Sequence, residues 1–261
     1  MITIGLAINS KAISVSIFDG IEFCGFNNEY VKYPYYNNIP FDAISECLYA
    51  ANINFCDIGR IVISDQFNIT DKYLVSFLNK GAVNTNGLKE FYNTLKKRRK
   101  LKGSLLKYFS NRGVNVSQLK IDFTGSFNSL IYYKYCESAF NDAMFIHFSD
   151  TQLYNFNLAG SINENNINHT SCNNLLNQIT ALDIVDTSSK EFIDYVKWLF
   201  INLLANLYNE KKYDCLIIND DFNGIITEEF ILYNSPFKQV HYSNNFHCNE
   251  DISMGAAMLS F

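Results

Sequence analysis

The apolar positions near the start of the chain fall into short β-branched runs. ITIGLAI (Ile2 to Ile8) and AISVSIF (Ala12 to Phe18) are separated by the polar residues Asn9 to Lys11, and IEFCGF follows the turn signal Asp19-Gly20. This spacing predicts three consecutive antiparallel strands. Pro40 then opens PFDAISECLYAANI, where Phe41, Ile44, Leu48 and Ala51 recur at helical spacing, and RIVIS (Arg60 to Ser64) reads as a short buried strand. From Asp71 to Asn111 the pattern is helical with a basic middle. LKIDF (Leu119 to Phe123) is the next strand and SFNSLIYYKYCESAF the next helix.

A second set begins at AMFIHFS (Ala143 to Ser149) and QLYNFNLAG. Helices are predicted around 173–181 and 190–209, followed by the strand CLIIN, a helix near 224–233, the strand KQVHYS and a closing helix. A strand-rich opening followed by helix and strand alternation therefore occurs twice. That order predicts an α/β fold of two related lobes, 1–120 and 121–261, each with a mixed sheet and helices and with ligands expected between them. The closing helix carries Gly255-Ala256-Ala257. Glycine costs roughly 1 kcal/mol against alanine inside a helix, so its presence marks a close backbone approach, by a ligand phosphate or by a neighbouring helix.

Composition narrows the function classes. The 261 residues are 48% hydrophobic, enough for a sizeable core, and the formal charge of −5 gives no overall attraction to nucleic acid or to an anionic membrane. The seven cysteines are scattered without a C-x-x-C pair, which fits a reducing cytoplasm better than a disulfide framework. The start of the chain lacks a basic leader and reads as strand. YVKWLFINLLANLY is interrupted by Lys197, Asn202 and Asn206 and reads as a buried helix, not a membrane span.

Candidate chemistry is sparse. The run KKRRKLK (Lys96 to Lys102) lies on a helix whose apolar residues are Phe91, Leu95 and Leu105, and it reads as a solvated face. His241, His247, Cys248 and Asp251 are ligand types without a standard metal spacing, and Cys172 with His169, near in sequence only, has nothing to supply an oxyanion hole. Asp220-Asp221 reads as a cap for the helix that follows. YVKYPYYNN concentrates Tyr30, Tyr33, Tyr35 and Tyr36 around a proline, an aromatic grouping that suits a protein interface and equally suits packing against the sheet edge.

In register, NNEYVKYPYYNNIPFDAISECLYAANINFCDIGRIVIS, DFTGSFNSLIYYKYCESAFNDAMFIHFSD and DISMGAAM resemble the O-carbamoyltransferase family over nearly the whole chain. The resemblance implies that family's actin/hexokinase-like fold, in which a carbamoyl group passes from a carbamoyl-adenylate to a hydroxyl with the help of a metal and nucleotide phosphates. The F-P-x-x-A-I motif survives as Ile39-Pro40-Phe41-Asp42-Ala43-Ile44, whereas the preceding E-E-R-F-x-R is Asn27-Asn28-Glu29-Tyr30-Val31-Lys32. The two metal-binding histidines of the family become Asp122 and Ser126. Its D-G-x-G-E acid is displaced to Asp150, and its phosphate-cradling glycines become Asn219-Asp220-Asp221-Phe222-Asn223. The closing D-x-G-x-x-x-G-A-A reads Asn249-Glu250-Asp251-Ile252-Ser253-Met254-Gly255-Ala256-Ala257. Packing residues persist while chemical residues are replaced. The chain also lacks much of the family's central insertion and its C-terminal domain.

The resemblance thus implies a pseudoenzyme: Asp122, Ser126 and Asp150 as vestigial cleft positions, and no resident metal or cofactor. Asn219, Asp220, Asn223, Asn249 and Gly255 are what remains of nucleotide binding. The expected role is that of a non-catalytic, cytoplasmic partner or regulator, dimeric with itself or with an active carbamoyltransferase homologue through the tyrosine cluster, without nucleic acid or membrane as partner. Two alternatives stand beside it. One is an active nucleotide-dependent carbamoyltransferase with a rebuilt site, Asp122, Asp150 and Asp220 around magnesium and ATP. The other is a protein like the accessory subunit of threonylcarbamoyl-adenosine synthesis, which GLAINSKAISVSIFDG also suits.

Overall fold

The computed structural model describes residues 1–8, 12–30, 41–65, 85–147, 158–164, 166–170, 189–211, 213–219, 226–243 and 249–259. The chain divides into two compact units, Met1–Tyr133 with His247–Ser260, and Lys134–Phe246. The first unit takes in the strand at 120–125 and the closing helix, both of which a division at 120/121 assigns to the C-terminal lobe.

In the first unit β1 (Ile2–Ile8), β2 (Ala12–Phe18) and β3 (Phe23–Tyr30) form an antiparallel meander. The turn between β2 and β3 is set by Asp19, whose Oδ1 accepts the N–H groups of Ile21 and Glu22, and by Gly20 at φ 107°. These bonds hold the Asp19 carboxyl below its ordinary range. β4 (Ile58–Asp65) lies parallel to β1, and β5 (Lys120–Gly125) parallel to β4, giving the order β3-β2-β1-β4-β5.

Strand alternation sorts the two faces of this sheet. Ile4, Leu6, Ile13, Val15, Ile17, Ile61 and Ile63 form one buried layer with α1 (Phe41–Ala50) and α2 (Thr85–Ser110), through Ile44, Cys47, Leu48, Leu101, Leu105 and Phe109. The start of α1 is fixed on α2 by stacking of Phe41 on Tyr108, with ring centroids 4.2 Å apart, and by the Tyr108 hydroxyl donating to the Phe41 carbonyl at 2.8 Å. The other face is small and polar: Thr3, Gly5, Ala7, Ser14, Ser16, Val62, Ser64 and Thr124 are all buried. α3 (Ser126–Ser138) follows β5, and the closing helix, α6 (Asn249–Met258), lies on β1 and β2.

The second unit repeats the pattern. β6 (Asp142–His147), β7 (Leu158–Asn163) and β8 (Asn166–Thr170) are antiparallel, while β9 (Cys215–Asn219) and β10 (Gln239–Ser243) run parallel to β6, in the order β10-β9-β6-β7-β8. Numbered within each unit, both sheets run third, second, first, fourth, fifth. Met144, Ile146, Leu216 and Ile218 pack on Val196, Phe200, Leu203, Leu204 and Leu207 of α4 (Lys190–Lys211) and on Ile231 of α5 (Glu228–Asn234).

Several elements differ from the sequence reading. β8 is not predicted, because its residues Asn166 to Thr170 are mostly polar; an edge strand with little to bury tolerates that. α5 is capped by Thr227, whose hydroxyl oxygen accepts from the Phe230 N–H, and not by Asp220-Asp221, which lie outside the described residues. The helix expected at 173–181 also lies outside them. Among the described residues no helix is long and apolar enough to cross a membrane.

Candidate functional site

Parallel strands bring their carboxyl ends to one edge of a sheet, where α/β folds hold their ligands. In the first unit that edge carries Asp65 at the end of β4 and Ser126 just after β5. Asp65 is 1% exposed. Its Oδ2 accepts from Nε of Arg98 at 2.8 Å and its Oδ1 from Nη2 at 2.9 Å, a two-pronged pair with both side chains 2% exposed. The guanidinium also lies over the Phe123 ring, 5.0 Å from its centroid. Ser126 donates its hydroxyl to the Asp65 carbonyl at 2.8 Å. The acid at this edge is thus charge-paired inside the protein.

Neither Asp65 nor Arg98 stands out in the sequence reading, and for Arg98 that reading is corrected. Lys96, Lys97, Arg99, Lys100 and Lys102 are solvated as expected, but Arg98 is buried. The signal was present: Arg98 shares its helical face with the buried Thr94, Leu101 and Leu105. A cation on an apolar face needs an anion, and Asp65 directly follows the apolar strand RIVIS.

Asp122 and Ser126 fall on different elements. Asp122 stands within β5, where its Oδ2 accepts from Arg60 Nε at 2.7 Å, while Arg60 Nη1 donates to the Leu259 carbonyl at 2.6 Å. Asp122 thereby joins β5 to β4, and through Arg60 to the end of the closing helix. Ser126 opens α3 and serves the edge of the sheet. Asp122 thus takes part in a cross-strand ion pair with its side chain half exposed.

Gly255 is also settled by contact. A Cβ placed there would run into the backbone carbonyl of Ser129 on α3, so protein occupies the space the sequence left open to a phosphate. Gly5 on β1 does the same for α6, since a Cβ at Gly5 would meet the Ser253 carbonyl and the Ala257 nitrogen. Ser16 and Ser253 share a buried hydroxyl–hydroxyl hydrogen bond of 2.6 Å in this layer.

Asp150, Asp220, Asn223, Tyr33, Tyr35 and Tyr36 lie outside the described residues. The backbones of Tyr30, Asn219 and Asn249 are placed in β3, β9 and α6, but their side chains are outside the described set. His247, Cys248, Cys172 and the His169 side chain are outside it as well. Among the described residues no group of three His, Cys, Asp or Glu side chains is arranged to hold a metal. Burial pushes the Cys47 thiol up to about 12 and that of Cys136 to about 11, and raises Cys24 and Cys215, so none of these four is a poised thiolate.

His241, on β10, has a buried Nε2 with no hydrogen-bond partner among the described residues. Burial holds its imidazole below the ordinary 6.5, with Glu137 and Lys134 of α3 acting in opposite directions. The unfolded chain therefore takes up this proton near pH 6.5 and the folded chain only at lower pH. The His241 contribution is complete above 6.5 and is lost as pH falls through the folded value. Urea midpoints at about pH 7.5 and about pH 5.5 should differ more in the native chain than in His241→Leu. An equal difference in the two proteins would remove His241 as the source.

No family model matches the chain, and no curated protein does. Solved structures do. A ROK hexokinase from Thermus thermophilus superposes with a TM-score of 0.59 at 10% identity, covering 98% of this chain and 97% of that one. A ROK family protein from Streptococcus pneumoniae, in complex with sucrose, gives 0.50 at 9% identity over 99% and 97%. With the repeated strand order, these likenesses establish an actin/hexokinase-like α/β fold; at such identity they establish the fold alone.

Proposed function

We propose that this chain is a catalytically degenerate, O-carbamoyltransferase-like protein that works as a non-catalytic partner or regulator. An active carbamoyltransferase homologue is the partner its resemblance favours, and a second copy of itself is the alternative. The observation that carries the proposal is the Asp65–Arg98 pair. At the edge where this architecture would work on a ligand, the carboxylate has both oxygens engaged by one buried guanidinium. A general base or cation ligand needs an accessible lone pair in a reachable position. Asp122, an acid that the resemblance does single out, is paired with Arg60.

The packing positions point the same way. Gly5 admits the closing helix close against the sheet and Gly255 admits it close against α3, which supports a fold kept for its packing. The competing reading, an active enzyme with ATP and magnesium at a rebuilt site, would use Asp122, whose Oδ2 accepts from Arg60.

Calorimetric titration of the full chain with ATP and magnesium decides between them. No saturable heat is expected, and Arg60→Ala, which frees Asp122, should not create any. Micromolar binding by the native protein, abolished in Asp122→Ala, would overturn the proposal in favour of the rebuilt site.

A further inference from the structure

The middle of α2 holds an exposed glycine, Gly103, against which nothing packs closely among the described residues. Between Phe91 and Ser110 the helix carries seven basic residues and no acidic one. At about 100° per residue, Lys96, Arg99, Lys100, Gly103 and Lys107 fall within a strip about 100° wide. All five are exposed. From Lys96 to Lys107 the strip runs for about 16 Å. Lys102, beside it, reaches back to the Ile121 carbonyl at 3.4 Å.

Gly103 differs from Gly5 and Gly255. Among the described residues nothing lies within 4 Å of the point where its Cβ would stand, and its φ is not in the left-handed region. Neither packing nor backbone conformation calls for glycine, although glycine weakens a helix interior and alanine would fit. What a glycine gives an exposed helix is close access to its backbone.

We infer that this strip is a docking surface for an acidic helix of a partner protein, which crosses α2 at Gly103 with its carboxylates against Lys96, Arg99 and Lys107. Charge selects the partner's chemistry. The chain as a whole carries −5 while every charged residue of this strip is basic, so the strip offers a local attraction to an acidic partner. The glycine selects a helix over a nucleic acid. Two helices approach more closely when the residue at their crossing is small, whereas phosphate contacts need only long cationic arms. The inference rests on the partner-binding half of the proposed function and not on the loss of nucleotide chemistry.

The test uses the full chain and a synthetic amphipathic helix with glutamates on one face and alanine at its centre. Its controls are the same peptide with glutamine for glutamate and a single-stranded oligonucleotide. Binding by fluorescence anisotropy should weaken with added salt and be lost with the glutamine peptide. Gly103→Gln should weaken it by about tenfold while the thermal midpoint holds or rises, since glutamine is the better helix former. Lys96→Glu with Arg99→Glu and Lys107→Glu should abolish it. The inference falls if the native chain does not bind the acidic helix or binds the glutamine peptide equally. It also falls if Gly103→Gln binds unchanged, if the oligonucleotide binds more tightly, or if light scattering shows the strip occupied by a second copy. None of these outcomes alters the ATP titration, so the two proposals fail separately.

Discussion

Replacing Arg98 by alanine is expected to lower the free energy of unfolding by about 3–5 kcal/mol, the usual consequence of leaving one member of a buried ion pair behind. Asp65 has no recourse to solvent, being 1% exposed, and it loses two charge-assisted hydrogen bonds at once. The guanidinium also covers the Phe123 ring, so packing is lost together with charge. A second variant separates the pair's net worth from the cost of breaking it. With Arg98→Met and Asp65→Leu together, no charge is stranded, and most of the loss should be recovered. Urea unfolding of the three proteins reads both effects. A cost under about 1 kcal/mol for Arg98→Ala would mean that the pair is solvated, and the case for a sealed sheet edge would go with it.

The same pair shows where sequence reading stops. The strands of the first unit were legible because each is a β-branched run with turn residues at its ends, and their repetition in the second unit followed from element order. Which charges are buried was harder to see. In KKRRKLK, six basic residues look alike by composition, and only their phase on the helix separates Arg98 from the rest. Phase was available, since Arg98 is three residues before Leu101 and seven before Leu105, but the identity of the anion was not. Asp65 reaches α2 only because β4 lies between β1 and β5, a fact of sheet order that no local pattern contains. The Arg60–Asp122 pair has the same origin. Its partners are 62 residues apart and meet through the parallel register of Val62 with Asp122 on neighbouring strands. The motif that singles out Asp122 contains nothing that points to Arg60. The cap of α5 was missed for a simpler reason: an acidic doublet drew attention seven residues upstream of the threonine that does the capping.

Gly255→Ala is the second large expected effect, and it tests what the closing helix is for. On propensity alone the substitution should stabilise a helix by roughly 0.5–1 kcal/mol. At this position the added methyl would enter the Ser129 carbonyl of α3, a backbone atom that no rotamer change can move, and would also press on Tyr133 Cβ at 3.1 Å. α6 would have to lift from α3. That movement disturbs the tight layer formed by Gly5 beneath Ser253 and Ala257, the Ser16–Ser253 hydrogen bond, and the contact of Ala7 and Leu130 with Ile252. Overpacking of this kind costs about 1–3 kcal/mol and more where the obstacle is rigid, so a net loss of about 2–3 kcal/mol is expected. Gly103→Ala supplies the control: it is the same substitution in a helix of the same unit, with nothing within 4 Å to obstruct the methyl. It should raise stability by roughly 0.5–1 kcal/mol. Opposite signs for the two variants in urea unfolding would show that Gly255 is kept for the approach of a neighbouring helix. A gain in both would mean that α6 does not lie against α3 as described, leaving Gly255-Ala256-Ala257 of the closing helix free for a ligand after all.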